Sequence, residues 1–192
     1  MNRRIRLFHN RQLAEKLKVN LARWKRWSLA FLPPDPLSGQ QSGHARQYYA
    51  QDAFRVHLGG HLVGELGFSI PESRRILDDL SPYLAETRFG FDVRAVPLRL
   101  EAPEPQRRYR LRIIRGGPMA FDYTLTALLE DAPWAGAGED VRCRRCRVRR
   151  FTSPPAADGA ATSVSTPVVS SGRVLDLSGV YWQFVRALTL TG

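Results

Sequence analysis

Apolar residues recur at helical spacing through the first part of the chain and switch to alternation farther on. In "RQLAEKLKV" (11–19), Leu13, Ala14, Leu17 and Val19 fit a short amphipathic helix, with Asn10 placed to cap its start. Asn20 then precedes "LARWKRW". There Leu21, Trp24 and Trp27 or Ser28 fall on one face, while Arg23, Lys25 and Arg26 point elsewhere. The proline- and glycine-rich "FLPPDPLSGQQSGHARQYYA" forbids a helix and suits a loop or hairpin whose returning arm carries Arg46, Tyr48 and Tyr49. A third helix is expected from Asp52 to about Leu66, apolar at Phe54, Leu58, Leu62 and Leu66 and stopped by Gly67. Ser69 opens a fourth, with Pro71 in its first turn and Glu72 completing a capping box; Ile70, Ile76, Leu77 and Leu80 supply its buried face.

From Arg88 the period becomes two. "VPLRLEA" alternates, as does "RYRLRII", with Tyr109, Leu111 and Ile113 on one face and Arg108, Arg110 and Arg112 on the other. "GGP" marks a turn, "AFDYTLTALL" alternates through Phe121, Tyr123 and Leu125, and "VRCRRCRVRRF" slips parity near Arg144 and Arg145 as a bulge would. Ser, Thr, Ala and Pro then dominate 152–172, a linker composition. The last segment predicts a strand at Val174–Leu177 and a helix capped by Ser178, apolar at Val180, Tyr181, Phe184, Val185 and Leu188. The expected class is α+β. A mainly helical domain over 1–86 precedes a small antiparallel β-domain over 87–151, a flexible linker over 152–172, and a strand–helix segment over 173–192 for dimerisation or docking.

Charge changes this picture. The chain of 192 residues carries a formal charge of +11, unevenly spread. Residues 1–31 hold nine Lys or Arg against the single acid Glu15, and residues 142–150 hold six Arg and no acid. Two separated basic clusters favour a polyanionic partner over an even solubilising halo. Arg11, Arg23, Lys25 and Arg26 are the first cluster's candidates for nucleic-acid contact. No apolar run reaches membrane-span length, and "MNRRIRLFHNRQ" lacks the apolar core and cleavage site of a signal peptide. Two cysteines give no disulfide framework. The expectation is a cytoplasmic, nucleoid-associated protein with no membrane partner.

The order of parts in the first 85 residues resembles the DNA-binding domain of MerR-type transcriptional regulators. A pair of helices leads to "RQYYAQD", in which Arg46, Tyr48 and Asp52 keep the family's spacing. Then comes "HLVGELGFSIPESRRILDDL", in which Leu66, Gly67, Phe68, Ser69 and Ile70 match the family's helix-joining corner. The resemblance implies a winged helix-turn-helix, with the second helix in the major groove and the wing on the phosphate backbone. It further implies a dimer on palindromic double-stranded DNA, and RNA polymerase as a further partner. Lys25 takes the place of the family's basic reader, Arg46 that of the wing arginine, and Tyr48 that of the wing aromatic, which packs or touches a phosphate. Arg26 and Trp27 replace two tyrosines common in the family, the wing is longer, and "LAETRFGFDVRAVPLRL" departs from the family's dimerisation helix.

Other chemistry is thinner. Cys143 and Cys146 form one CxxC; tetrahedral zinc needs four ligands and all four histidines lie far upstream, so incidental cysteines are the favoured reading over a metal or redox site. His57 and His61 stand at i and i+4, a spacing that can bind zinc, but no third ligand is evident, and the resemblance implies a helix-packing, structural role for His61. The Arg108, Arg110, Arg112 stripe is either a solvated face, paired with Asp122 and Glu130, or an extension of an anion footprint. No phosphate-binding glycine loop or nucleophile–base pair is present, so neither an enzyme nor a cofactor is expected. The leading expectation is a sequence-specific transcriptional regulator. A phage-type excisionase or architectural DNA-binding protein is the alternative, and a protein–protein adaptor with secondary DNA binding is another.

Overall fold

A computed structural model describes residues 7–34, 46–86, 107–129, 147–153 and 172–189. The chain is mixed α+β and divides into two compact units, Met1–Ala102 with Gly179–Gly192, and Pro103–Ser178. Several expected features lie outside the described residues: the strand in "VPLRLEA", the parity slip at Arg144 and Arg145, the pair Cys143 and Cys146, Glu130, and the body of the linker.

The first unit is helical. A two-residue strand β1 (Phe8–His9) leads into α1 (Asn10–Lys16), a turn, and α2 (Leu21–Phe31). The turn closes through Lys18, a non-glycine residue at φ 54°, whose neighbour Val19 donates its amide to Ala14 O at 2.9 Å. β2 (Gln47–Tyr48) returns antiparallel to β1, pairing Tyr48 with Phe8. Next come α3 (Ala50–Gly64) and α4 (Ile70–Glu86), separated by Gly67 at φ 63°. The Ser69–Glu72 capping box forms: Ser69 N donates to Glu72 Oε2 at 2.8 Å and Glu72 N to Ser69 Oγ at 3.4 Å. The core holds Phe8, Leu13, Trp24, Phe31, Tyr48, Phe54, Leu58, Leu62, Ile76, Leu77 and Leu80, all at most 3% exposed.

Asn10 does not cap α1. It is the first helical residue, His9 precedes it without a side-chain cap, and its amide oxygen is taken by Tyr48. Asn20 does cap α2, its Oδ1 accepting from Ala22 N at 2.9 Å and Arg23 N at 3.2 Å.

The second unit is a four-stranded antiparallel sheet in the order β5-β4-β3-β6, with β3 (Arg107–Gly117), β4 (Ala120–Leu129), β5 (Arg147–Thr152) and β6 (Arg173–Asp176). Alternation sends Leu111, Ile113, Phe121, Tyr123, Leu125 and Leu175 to one buried face. β3 turns into β4 through Pro118 and Met119, and the ladder shifts register between Arg115 and Gly117. Met119 sits at φ 57°, where glycine is the usual occupant.

The strand–helix segment expected over 173–192 is shared between the two units. β6 completes the sheet, while most of the final helix α5 (Leu177–Thr189) belongs to the helical unit. There Tyr181 and Phe184 pack on Phe54 at centroid distances of 5.5 and 5.4 Å, and Phe184 lies 5.6 Å from the His57 ring. Ser178 does not cap α5, which already begins at Leu177. Its Oγ instead accepts the Tyr109 amide at 2.8 Å.

Candidate nucleic-acid interface

The site is built on α2. Trp24, Trp27, Ser28 and Phe31 form its buried stripe. Ala22, Lys25, Arg26 and Leu29, at spacings of three, four and seven, fall together on the opposite side. Leu29 is 76% exposed, the most exposed large hydrophobic side chain among the described residues, and Lys25 and Arg26 flank it in solvent. Arg23 is exposed on the flank, its guanidinium 5.9 Å from the centroid of the Trp27 ring. No acidic residue occurs anywhere on α2. A helix of this kind offers cations for phosphate or guanine edges and a methyl-bearing side chain for thymine.

The buried stripe is fixed by an unusually close helix contact. At Gly60 a Cβ would fall 2.7 Å from Trp27 Cε3 and 2.9 Å from Cη2. At Gly59 it would fall 2.5 Å from Phe31 Cδ2 and Cε2. The two glycines of "HLGGH" thus give α3 a flat patch on which the α2 rings rest directly, and Trp27, 6% exposed, belongs to the core. Arg55 locks the far end of α2: its Nε donates to Phe31 O at 2.9 Å, Nη1 to Leu77 O at 3.3 Å, and Nη2 meets Asp78 Oδ1 at 2.5 Å. An open cleft of about 380 Å³ beside this end is lined by Leu32, Pro33, Arg55, Arg74, Asp78 and Ser81 among others.

Tyr48 is placed differently from a phosphate contact. It is fully buried, stands edge-on to Trp24 with centroids 6.0 Å apart, and donates to Asn10 Oδ1 at 2.5 Å while meeting Ser28 Oγ at 3.0 Å. With its hydroxyl committed to α1 and α2, it positions the strand pair and has no surface to offer DNA. Arg46 is half-buried, donates from Nη2 to Pro33 O at 2.8 Å, and lies 5.6 Å from the Tyr48 ring centroid. It therefore ties β2 to the end of α2 while keeping part of its guanidinium at the surface. Arg11 is exposed on α1 and ion-paired with Glu15 at 3.1 Å, which offsets its charge locally. Of the expected contact residues, the structure brings Arg23, Lys25 and Arg26 together on α2 and sets Arg11, Arg46 and Tyr48 elsewhere.

Two histidines of α3 lie outside this face. His57 is 8% exposed, and burial first, then the neighbouring His61, pushes its pKa down to about 3. The two Nε2 atoms lie 3.2 Å apart, and His61 Nδ1 faces Glu65 Oε1 at 2.5 Å. Among the described residues no three His, Cys, Asp or Glu groups gather as a metal site requires. Asp52, in the first turn of α3, has its carboxyl raised above the ordinary value by burial, opposed by the Tyr49 backbone and by Arg46 and Arg55.

The expected helix "LARWKRW" ends at Trp27, whereas α2 runs on to Phe31 and so adds Leu29 to the exposed face. The signal was present: Pro33 and Pro34, not Trp27, are the first helix breakers after Asn20. No described helix is long and apolar enough to cross a membrane. Comparison with protein-family models, curated proteins and solved structures finds no match for the chain.

Proposed function

We propose that this protein is a sequence-specific DNA-binding transcriptional regulator of the MerR type, dimeric and nucleoid-associated. In this reading α2 enters the major groove, and the β1–β2 pair sets Arg46 beside the phosphate backbone. The observation that carries it is the exposed face of α2: Lys25 and Arg26 with Ala22 and Leu29 between them, free of acids, on a helix held rigidly from beneath by Trp24, Trp27 and Phe31. Support also comes from the spacing of Arg46, Tyr48 and Asp52 and from the Gly67–Ser69 corner.

Lys25 and Arg26 are assigned to base edges, Arg23 and Arg46 to phosphates, and Leu29 to thymine methyls. Fluorescence anisotropy on selected duplexes tests this. Lys25→Ala relaxes base preference, with discrimination falling by about 1–3 kcal/mol. Arg46→Ala weakens all sequences about equally. Uniform weak binding to every duplex, or variants on α2 that leave preference untouched, sinks the reading.

A further inference from the structure

We propose that the exposed face of the four-stranded sheet is a second contact surface for the phosphate backbone of duplex DNA, built on Arg108, Arg112 and Arg150. The proposal rests on the reading that the chain binds duplex DNA, and it assigns a role to a unit that reading leaves idle.

The register places these residues together. Arg112 of β3 stands opposite Thr124 of β4, which stands opposite Arg150 of β5, giving a row across three strands. Arg108 lies on the same side of β3, as does Thr126 on β4. Arg108, Arg112 and Arg150 are all exposed. Two acids share the face: Asp176 of β6 stands opposite Arg110 and offsets its charge locally, and exposed Asp122 of β4 stands opposite Ile114 and Thr152, at the end of the face beyond the Arg112–Thr124–Arg150 row. The described stretches of this unit contain nine Arg, two Asp and no Lys. That choice of cation matters, because the planar guanidinium takes a phosphate through two parallel hydrogen bonds where an ammonium acts as a point charge. Room is also made for Arg112: a Cβ at Gly172 would fall 2.5 Å from its Nε and 3.2 Å from its Cγ.

Dimensions then select the ligand. Arg108 and Arg112, four positions apart on one strand, stand about 14 Å apart, and Arg150 lies about 10 Å from Arg112 across two strand spacings. The sheet is about 14 Å wide before its side chains are counted. The major groove, about 12 Å wide, admits a helix or a two-stranded ribbon. A four-stranded face therefore rests on the groove rims and meets phosphates, not bases. Single-stranded nucleic acid is a poorer fit, because stacking needs aromatic rings. Tyr109, Phe121, Tyr123 and Phe151 all lie on the other side of the sheet. An acidic protein segment is also a poorer fit, since the exposed apolar residue on this face, Val174 opposite Arg112, lies on the edge strand β6 and is smaller than the aromatic anchors that protein interfaces use.

The test is the salt dependence of duplex binding by the full chain. Each phosphate contact contributes about 0.9 to the slope of log K against log salt. R108A/R112A/R150A should lower the slope by about 2–3 and leave the ratio of specific to non-specific affinity unchanged, and R108K/R112K/R150K should restore most of it. R108Q/R112Q/R150Q serves if the alanine variant does not fold, folding being checked by circular dichroism. An unchanged slope in a folded variant overturns the proposal while leaving the role of α2 intact. Loss of polyglutamate binding with duplex binding unaffected overturns it in favour of an acidic protein. A wild-type chain that binds no duplex at all removes the regulator reading and this one together.

Discussion

Gly60→Ala sets two physical effects against each other, and the structure decides the sign. In an exposed helix interior, replacing Gly by Ala gains about 1 kcal/mol from backbone entropy. At Gly60 the new methyl must displace the Trp27 ring, whose Cε3 and Cη2 lie 2.7 and 2.9 Å from the ideal Cβ position. That ring is buried between α2 and α3, so it cannot swing into solvent; the helices must part. Overpacking of this kind costs about 1–3 kcal/mol, and the backbone-level contact places Gly60 toward the upper end. The net expectation is destabilisation by roughly 1–2 kcal/mol. Gly64 is the control on the same helix: no atom lies within 4 Å of its Cβ position, so Gly64→Ala should be neutral or stabilising by up to about 1 kcal/mol. Urea unfolding followed by tryptophan fluorescence measures both, because Trp24 and Trp27 report directly on this interface. If Gly60→Ala unfolds at a higher urea concentration than wild type, the direct seating of Trp27 on α3 is refuted.

Four further outcomes follow from named contacts. Asn20→Ala removes the acceptor of two helix amides and should cost about 1 kcal/mol in the same urea assay, with Asn20→Asp nearly neutral. His57 is held neutral, its folded pKa of about 3 lying below the ordinary 6.5, so it contributes no penalty above pH 6.5. Below that pH the unfolded chain binds the proton and the folded one does not, so stability falls by about 1.4 kcal/mol per pH unit until the folded pKa is reached. Unfolding at pH 7 and pH 5 should therefore differ by about 2 kcal/mol, and His57→Phe should flatten the difference. Met119→Gly relieves a left-handed non-glycine residue at the β3–β4 turn and should raise thermal stability by up to about 1 kcal/mol, read by the far-ultraviolet sheet signal. Lys25→Ala, Arg26→Ala and Leu29→Ala, all on the exposed side of α2, should each shift stability by less than about 0.5 kcal/mol; a larger loss in thermal melts means that this side is buried.

What the sequence displays is what local chemistry controls. Period, cap and breaker together place α1 to α4, because Asn20, the Ser69–Glu72 box and Gly67 act within a few residues of where they stand. Alternation likewise reveals β3 and β4 and the side each residue faces. Hidden features all depend on partners remote in sequence. The order β5-β4-β3-β6 sets β6 against β3, pairing residues sixty or more positions apart (Ile113 with Arg173, Arg110 with Asp176), which a period of two does not encode. "HLGGH" draws the eye to its histidines, yet the glycines do the positioning, and only the α2 rings pressed against them show why. For Tyr48 the sequence leaves packing and phosphate contact both open, and the choice is made by its hydroxyl, which finds Asn10 thirty-eight positions away and Ser28 twenty away.

The same distinction organises α2 itself. Its buried side is specified by contacts from three directions: Tyr48 on Trp24, Gly60 under Trp27, and Gly59 under Phe31. Its exposed side has no such obligations, so Ala22, Lys25, Arg26 and Leu29 are not fixed by the fold. Leu29 is 76% exposed there, between two cations. A leucine so placed leaves apolar surface in water at a cost of about 25 cal/mol per Å² unless something covers it. In the proposed function duplex DNA supplies that cover through thymine methyls flanked by phosphates, the combination that an apolar residue between two cations matches. The helix is thus held from one side and left open on the other, and in the proposed function that division lets recognition vary without disturbing the fold beneath it.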